Sequence, residues 1–230
     1  MSPSVYLTMR ITENIELIEY TKRQEFLNSL THAAGAVFAA AGLILCLNKV
    51  RGEGMRAVLS ACVYCSAFFA VYASSALYHG LPPGEAKRLF RLFDHIAIPL
   101  LLAGTATPCA LITLYRVSPF HGYAVFATGW FCAAFGIITK LFFFNDKKLK
   151  TICMAVYFAG GASMLFSAIP RLGSINKTGF LLLCLGCLAY TAGAVFCRIG
   201  IKRPWFHTAF HVFVLAGSII HFYVIYTYIF

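Results

Sequence analysis

His207 and His211 stand four residues apart in Pro204-Trp205-Phe206-His207-Thr208-Ala209-Phe210-His211, at the head of the last long apolar segment. On an α-helix that spacing puts both imidazoles on one face, one turn apart. Two neutral imidazoles so placed can share a metal ion, and histidine is a common ligand for zinc. The pair reads equally as two histidines bonded to carbonyls or lipid headgroups at a membrane edge, so the rest of the chain has to decide. His79, with Ser75 one turn before it, and Asp94 supply the other residue types that metal chemistry needs. Three histidines with an open fourth position are the ligand logic of a catalytic zinc, which lowers the pKa of bound water to about 7. A carboxylate beside that water, such as Asp94, can serve as general base, and the Ser75 hydroxyl can hydrogen-bond the water or a developing oxyanion.

These residues meet only if the elements that carry them bring them together. The composition is 60% apolar, 16% aromatic and 12% charged, outside the usual range of soluble domains. The charges are gathered between apolar runs of about twenty residues, the length that crosses a hydrocarbon core of about 30 Å. The expectation is an all-α, polytopic membrane protein: a seven-transmembrane-helix bundle with a cytosolic N-terminus. Its spans are expected at Leu27–Leu47, Ala57–His79, Leu92–Leu114, Pro119–Thr139, Thr151–Ile169, Thr178–Cys197 and Trp205–Phe230. Residues 1–24 form a polar N-terminal arm, in which Ile11, Ile15 and Ile18 predict a short amphipathic helix along the membrane surface. Residues 25–230 are then one membrane domain with short connections. No cleavable signal peptide is expected, because the start is polar and the first apolar run too long.

A net charge of +11 would suggest nucleic acid in a soluble chain. Here most lysines and arginines fall in short connections between spans, a headgroup-facing distribution that sets nucleic acid aside. With the N-terminus in the cytosol, thirteen of the nineteen Lys and Arg lie on the inner side, which supports an N-in, C-out orientation. Under that topology His79, Asp94, His207 and His211 all fall in one layer, one to two turns inside the cytosolic edge. Glu25, Asn28 and His32 form a polar stripe on one face of the first span at the same depth. They can serve as partners that orient the ligands, or as ordinary interhelical hydrogen bonders. His95, His121 and His221 fall off the site by depth or face and are expected to be satisfied structural histidines.

Among the nine cysteines, Cys62/Cys65 and Cys184/Cys187 have zinc-like C-x-x-C spacing, but four thiolates inside apolar runs would be badly solvated. They read as small packing residues. Gly179, Gly186, Gly193 and Gly200 recur every seven residues along the sixth span, a smooth stripe for a neighbouring helix. Pro99 and Pro108 are expected to bend the third span and free carbonyls.

Taken in order, Glu25-x-x-Asn28-x-x-Thr31-His32, Ser75-x-x-x-His79, Asp94 and His207-x-x-x-His211 resemble the haemolysin III family, from about Glu25 to Phe230. Leu215-Ala-Gly-Ser-Ile-Ile-His221 is similar to its bacterial branch. That family belongs with the progestin and adipoQ receptors and the alkaline ceramidases. The resemblance implies a zinc held by His79, His207 and His211, with Asp94 reaching it through water and Ser75 beside it. It also implies a cytosolic N-terminus and a place in the bacterial plasma (inner) membrane. The chain has only a short polar arm where the eukaryotic receptors carry a long cytosolic region, so hormone binding is not carried over.

Superfamily relatives include amide hydrolases that cleave ceramide to a fatty acid and a sphingoid base. The preferred expectation is therefore a zinc-dependent hydrolase of an amide or ester bond in a membrane lipid, with the bilayer and a lipid substrate or ligand as partners. One alternative is a non-catalytic, receptor-like regulator in which a structural zinc staples the second span to the seventh. The other is a cytolysin, as the family's name suggests, although no charged pore-lining stripe is evident. Oligomeric state is left open.

Overall fold

Thr21 starts the first helix. Its side chain accepts a hydrogen bond from the Gln24 backbone N–H at 3.3 Å, and the Thr21 N–H donates to Gln24 Oε1 at 2.9 Å. This reciprocal capping box satisfies two backbone donors that would otherwise lack partners. It sets the phase of α1 (Lys22–Lys49) so that Gln24, Asn28, His32, Gly35, Ala39, Gly42 and Cys46 form its buried stripe. The polar part of that stripe lies at the end nearest the arm, here called the near end.

The structure is a computed structural model and describes residues 12–13, 15–168 and 176–230. Six further helices follow: α2 (Met55–Gly80), α3 (Glu85–Pro108), α4 (Pro119–Phe142), α5 (Lys147–Ala168), α6 (Lys177–Gly200) and α7 (Trp205–Val224). Among the described residues, seven helices are long and apolar enough to cross a membrane, as the hydropathy pattern predicts. Most run past the expected spans at one end or both, because backbone hydrogen bonding does not stop at the hydrocarbon edge. Gly52 (φ 87°) and Gly54 (φ 88°) turn the chain between α1 and α2 in the left-handed region open to glycine.

Apart from α5 and α6, neighbours in sequence pack as neighbours in space. α2 lies between α1 and α3, α4 joins α3 to α5, and α1 also touches α7. α3 is the most enclosed helix and α6 the least, since α6 rests mainly on α7. After Pro108, α3 widens into a π-helical stretch, Cys109–Leu114, before a last turn, Tyr115–Val117. α7 ends in a π-helical stretch too, Ile225–Ile229. Proline cannot donate to the carbonyl one turn back, and the wider turn begins where that ladder is broken.

The seven-residue glycine stripe of α6 faces α7. An added Cβ at Gly186 would collide with the His221 ring, and one at Gly200 would lie 2.9 Å from His207 N. A buried hydroxyl cluster ties the same region to α2: Tyr72 donates to Ser218 Oγ at 2.7 Å, and Tyr190 shares that oxygen at 2.7 Å. Polar side chains buried this deep need such partners. His221 Nε2 donates to the Leu183 carbonyl at 3.0 Å, and His121 pairs with Ser118 Oγ at 2.9 Å. His121 matches the expectation of a satisfied structural histidine, whereas His221 is satisfied at Nε2 and keeps a buried, unpartnered Nδ1.

The arm departs from expectation. Residues 15–20 are irregular, not helical, and Ile11 lies outside the described residues. Ile15 is buried against Leu92 and Phe144, while Ile18 is exposed. The i, i+4, i+7 spacing suggested one apolar face, but Ile15 and Tyr20 are claimed by different parts of the bundle.

Gly186→Val and Gly200→Val are expected to lower stability by about 1–3 kcal/mol through overpacking. Gly161→Ala, whose Cβ would meet only Leu102 Cδ1 at 3.9 Å, should stay within about 0.5 kcal/mol. Thermal midpoints of the purified variants test both.

Candidate metal centre

The last two turns of α2 carry Ser75 and His79, the second and third turns of α3 carry Arg91 and Asp94, and the first two turns of α7 carry His207 and His211. The ring nitrogens of His79, His207 and His211 each offer one atom, and these atoms lie within 4.8 Å of one another. His79 and His211 are buried, and His207 is half-buried. His207 Nε2 and His211 Nε2 face each other at 3.1 Å. Two lone pairs repel at that distance, so a proton or a shared cation has to lie between them.

Glu25 settles which nitrogen His79 presents. Its Oε2 sits 2.6 Å from His79 Nδ1, and since a carboxylate only accepts, Nδ1 carries the proton. His79 Nε2 is then left buried without a hydrogen-bond partner, its lone pair free for a ligand. This carboxylate–histidine arrangement fixes the tautomer and ring orientation of metal-ligating histidines. The residues present therefore fit a divalent cation that prefers nitrogen ligands.

Lys87 completes the mount. The residue is 3% exposed, and its ammonium pairs with Glu25 Oε1 at 2.8 Å. It also donates to the carbonyls of Tyr78 (2.8 Å), His79 (3.4 Å) and Leu81 (3.0 Å). One lysine thus holds both the carboxylate that orients His79 and the helix end that carries it. The sequence reading placed Lys87 only among the headgroup-facing cations. Its spacing carries no sign that it turns inward.

Asn28 and His32 also reach the site. Thr208 Oγ1 donates to Asn28 Oδ1 at 2.8 Å, linking α1 to α7 beside His207. The His32 ring lies 3.8 Å from that of His211, centroid to centroid, and edge-on to Tyr72 at 4.8 Å. Both His32 nitrogens are buried without partners. Asp94 is half-buried, beside the Ser75 hydroxyl and within electrostatic reach of His79 and Arg91. It stands beside the three-histidine group, not within it. His95 packs edge-on to Phe144 at 4.9 Å and has no place in the group.

Tyr20 is the unforeseen member. Its ring stacks on His207 at 5.2 Å and meets His79 edge-on at 5.4 Å, closing the site from the arm. Burial, with Tyr78 next, raises its phenol well above the ordinary value, so a neutral ring covers the imidazoles. A single tyrosine in a polar arm is indistinguishable by sequence from an ordinary interfacial one.

Glu25→Ala strands the buried Lys87 ammonium, and breaking such a pair is expected to cost about 3–5 kcal/mol. It also frees the His79 ring, with metal affinity expected to fall about 10–100-fold. Thermal melting and metal titration of the purified variant separate the two effects.

Comparison with known proteins gives the family. The family model described as "Haemolysin-III related" matches residues 20–222. "Hemolysin-3" of Bacillus cereus is 34% identical over 221 residues, covering 95% of this chain and 98% of that protein. "Hemolysin-3 homolog" of Bacillus subtilis (strain 168) is 30% identical over 200 residues, 86% of this chain and 91% of its own. A more distant likeness extends to the human "Monocyte to macrophage differentiation factor", 25% identical over 209 residues, 88% of this chain and 83% of that one. The chain belongs to the Haemolysin-III related family of membrane proteins.

Proposed function

We propose that this protein is a zinc-dependent hydrolase of an amide or ester bond in a membrane lipid, set in the bacterial inner membrane with its N-terminus in the cytosol. The observation that carries this reading is the meeting of three imidazoles from α2 and α7 with Asp94 and Ser75 alongside. His79, His207 and His211 would hold the ion. Bound zinc supplies a Lewis acid that polarises a carbonyl and lowers the pKa of water to about 7.

The protein's own groups do the rest. Glu25 and Lys87 keep His79 Nε2 facing inward. Asp94 takes the proton of the attacking water and returns it to the leaving nitrogen or oxygen. Ser75, beside Asp94, is placed to hydrogen-bond the attacking water or a developing oxyanion. Tyr20 shields the near end from bulk water. A site one to two turns inside the membrane edge meets a lipid carbonyl at its natural depth.

A second reading draws on the same cluster. A metal there ties α2 to α7, so a non-catalytic protein could use it as a staple that contributes folding free energy.

Purified protein is expected to carry about one zinc per chain, lost in His207→Ala and His211→Ala. Fatty-acid release from lipid substrates should fall about 10²–10⁴-fold in Asp94→Ala, the usual worth of a general base. Equal release from untreated, chelated and Asp94→Ala protein removes the hydrolase reading. Chelation that lowers the thermal midpoint while all three remain inactive favours the staple. Alkaline phosphatase fused after Phe230 should be active, and fused within the α6–α7 connection inactive; the reverse pattern overturns the orientation.

A further inference from the structure

Beside the histidines, on the other side of Arg91, three cations gather around one aromatic ring. Arg91 Cζ lies 5.3 Å from the Phe144 ring centroid, Lys150 Nζ 5.5 Å and Lys140 Nζ 5.9 Å. They come from different elements: Arg91 from the second turn of α3, Lys140 from the last turn of α4, and Lys150 from the first turn of α5. Arg91 and Lys140 are each 7% exposed, and Arg91 Nε and Nη1 are buried without any partner. Ile15 of the arm and Leu92 pack against the same Phe144.

No carboxylate among the described residues forms an ion pair with any of the three. The acids near enough to matter are engaged or exposed. Asp94 contacts Ser75, Asp146 caps the Leu149 N–H at 2.8 Å, and Glu16, within electrostatic reach of Lys150, faces solvent. Buried charges are normally paired, and a π-face attracts a cation but does not neutralise it. A planar guanidinium fork flanked by two ammonium groups matches the several oxygens and the charge of a phosphate.

Depth is compatible with a phosphate. α3 is continuous with its π-helical stretch over Glu85–Val117, about 50 Å at 1.5 Å per residue, longer than a hydrocarbon core of about 30 Å. Its first turns therefore reach headgroup level, as do the end of α4 and the start of α5. Lipid phosphates and free phosphate are both found there.

We propose that Arg91, Lys140 and Lys150 form a binding site for one phosphate-type anion, from a phospholipid headgroup or from inorganic phosphate. The Arg91 charge also reaches Asp94 and His207, so the bound anion sits at the threshold of the histidine cluster. Its binding requires none of the three histidines.

The test uses the purified full-length chain in detergent, with phosphatidylglycerol, diacylglycerol and inorganic phosphate as separate probes. Lipid retention is read by native mass spectrometry and stabilisation by thermal melting. Phosphatidylglycerol should be retained and raise the midpoint, with affinity about tenfold or more weaker in Arg91→Gln and in Lys150→Gln, as expected for losing a hydrogen bond to a charged group. Stabilisation by phosphatidylglycerol alone identifies a headgroup site, and the same residue-dependent stabilisation by inorganic phosphate identifies a free-anion site. Either result supports the assignment. If Arg91→Gln fails to fold, Lys150→Gln at the half-buried start of α5 decides. Unchanged binding in the folded variants, no response to either phosphate probe, or equal retention of diacylglycerol overturns it. His207→Ala protein should respond as the unmodified chain does, and a response lost in that variant belongs to the metal site and also overturns the assignment.

Discussion

The Glu25 carboxylate governs the near end of the bundle. One oxygen accepts from His79 Nδ1–H and the other pairs with the Lys87 ammonium, so a single side chain joins α1, α2 and α3. A carboxylate and an ammonium this poorly solvated gain little from each other once desolvation is counted. What they supply is position. The pair holds the tautomer of His79, and Lys87 also caps the carbonyls at the end of α2. The imidazole group then needs only α7, delivered against α6 by the glycine stripe, to be complete.

Much of this was legible in the chain. Apolar runs long enough to cross a bilayer predicted seven helices, and hydrocarbon makes any histidine within a span conspicuous because its nitrogens need partners. His79, His207 and His211 were therefore visible as a group before any contact was known. The polar stripe Glu25, Asn28 and His32 was visible by its spacing, and Glu25 does orient His79. Asn28 bonds Thr208 and His32 packs on His211, which spacing alone could not foresee.

What stayed hidden has a common cause. Lys87, Arg91, Lys140 and Lys150 all lie at span ends, where basic residues are ordinary and normally face headgroups. Whether such a side chain turns outward or folds back beneath a neighbouring helix depends on tertiary contacts, which leave no periodic trace. The arm illustrates the same point. Its isoleucine spacing suited a surface helix, but Ile15 is held by Leu92 and Phe144 and Tyr20 by the histidines. Contacts with separate partners outweighed a local pattern that could satisfy only one face.

The glycine seam between α6 and α7 makes the clearance between those helices a matter of main chain, not of side-chain rotamers. At Gly200 the spacer is the His207 backbone itself, so that imidazole is registered against a rigid edge. The lipid-facing side of α6 can then drift in sequence without disturbing the imidazoles, while a single methyl on the hidden side reaches them mechanically. α6, the most exposed helix, serves as the gauge against which the most buried chemistry is set.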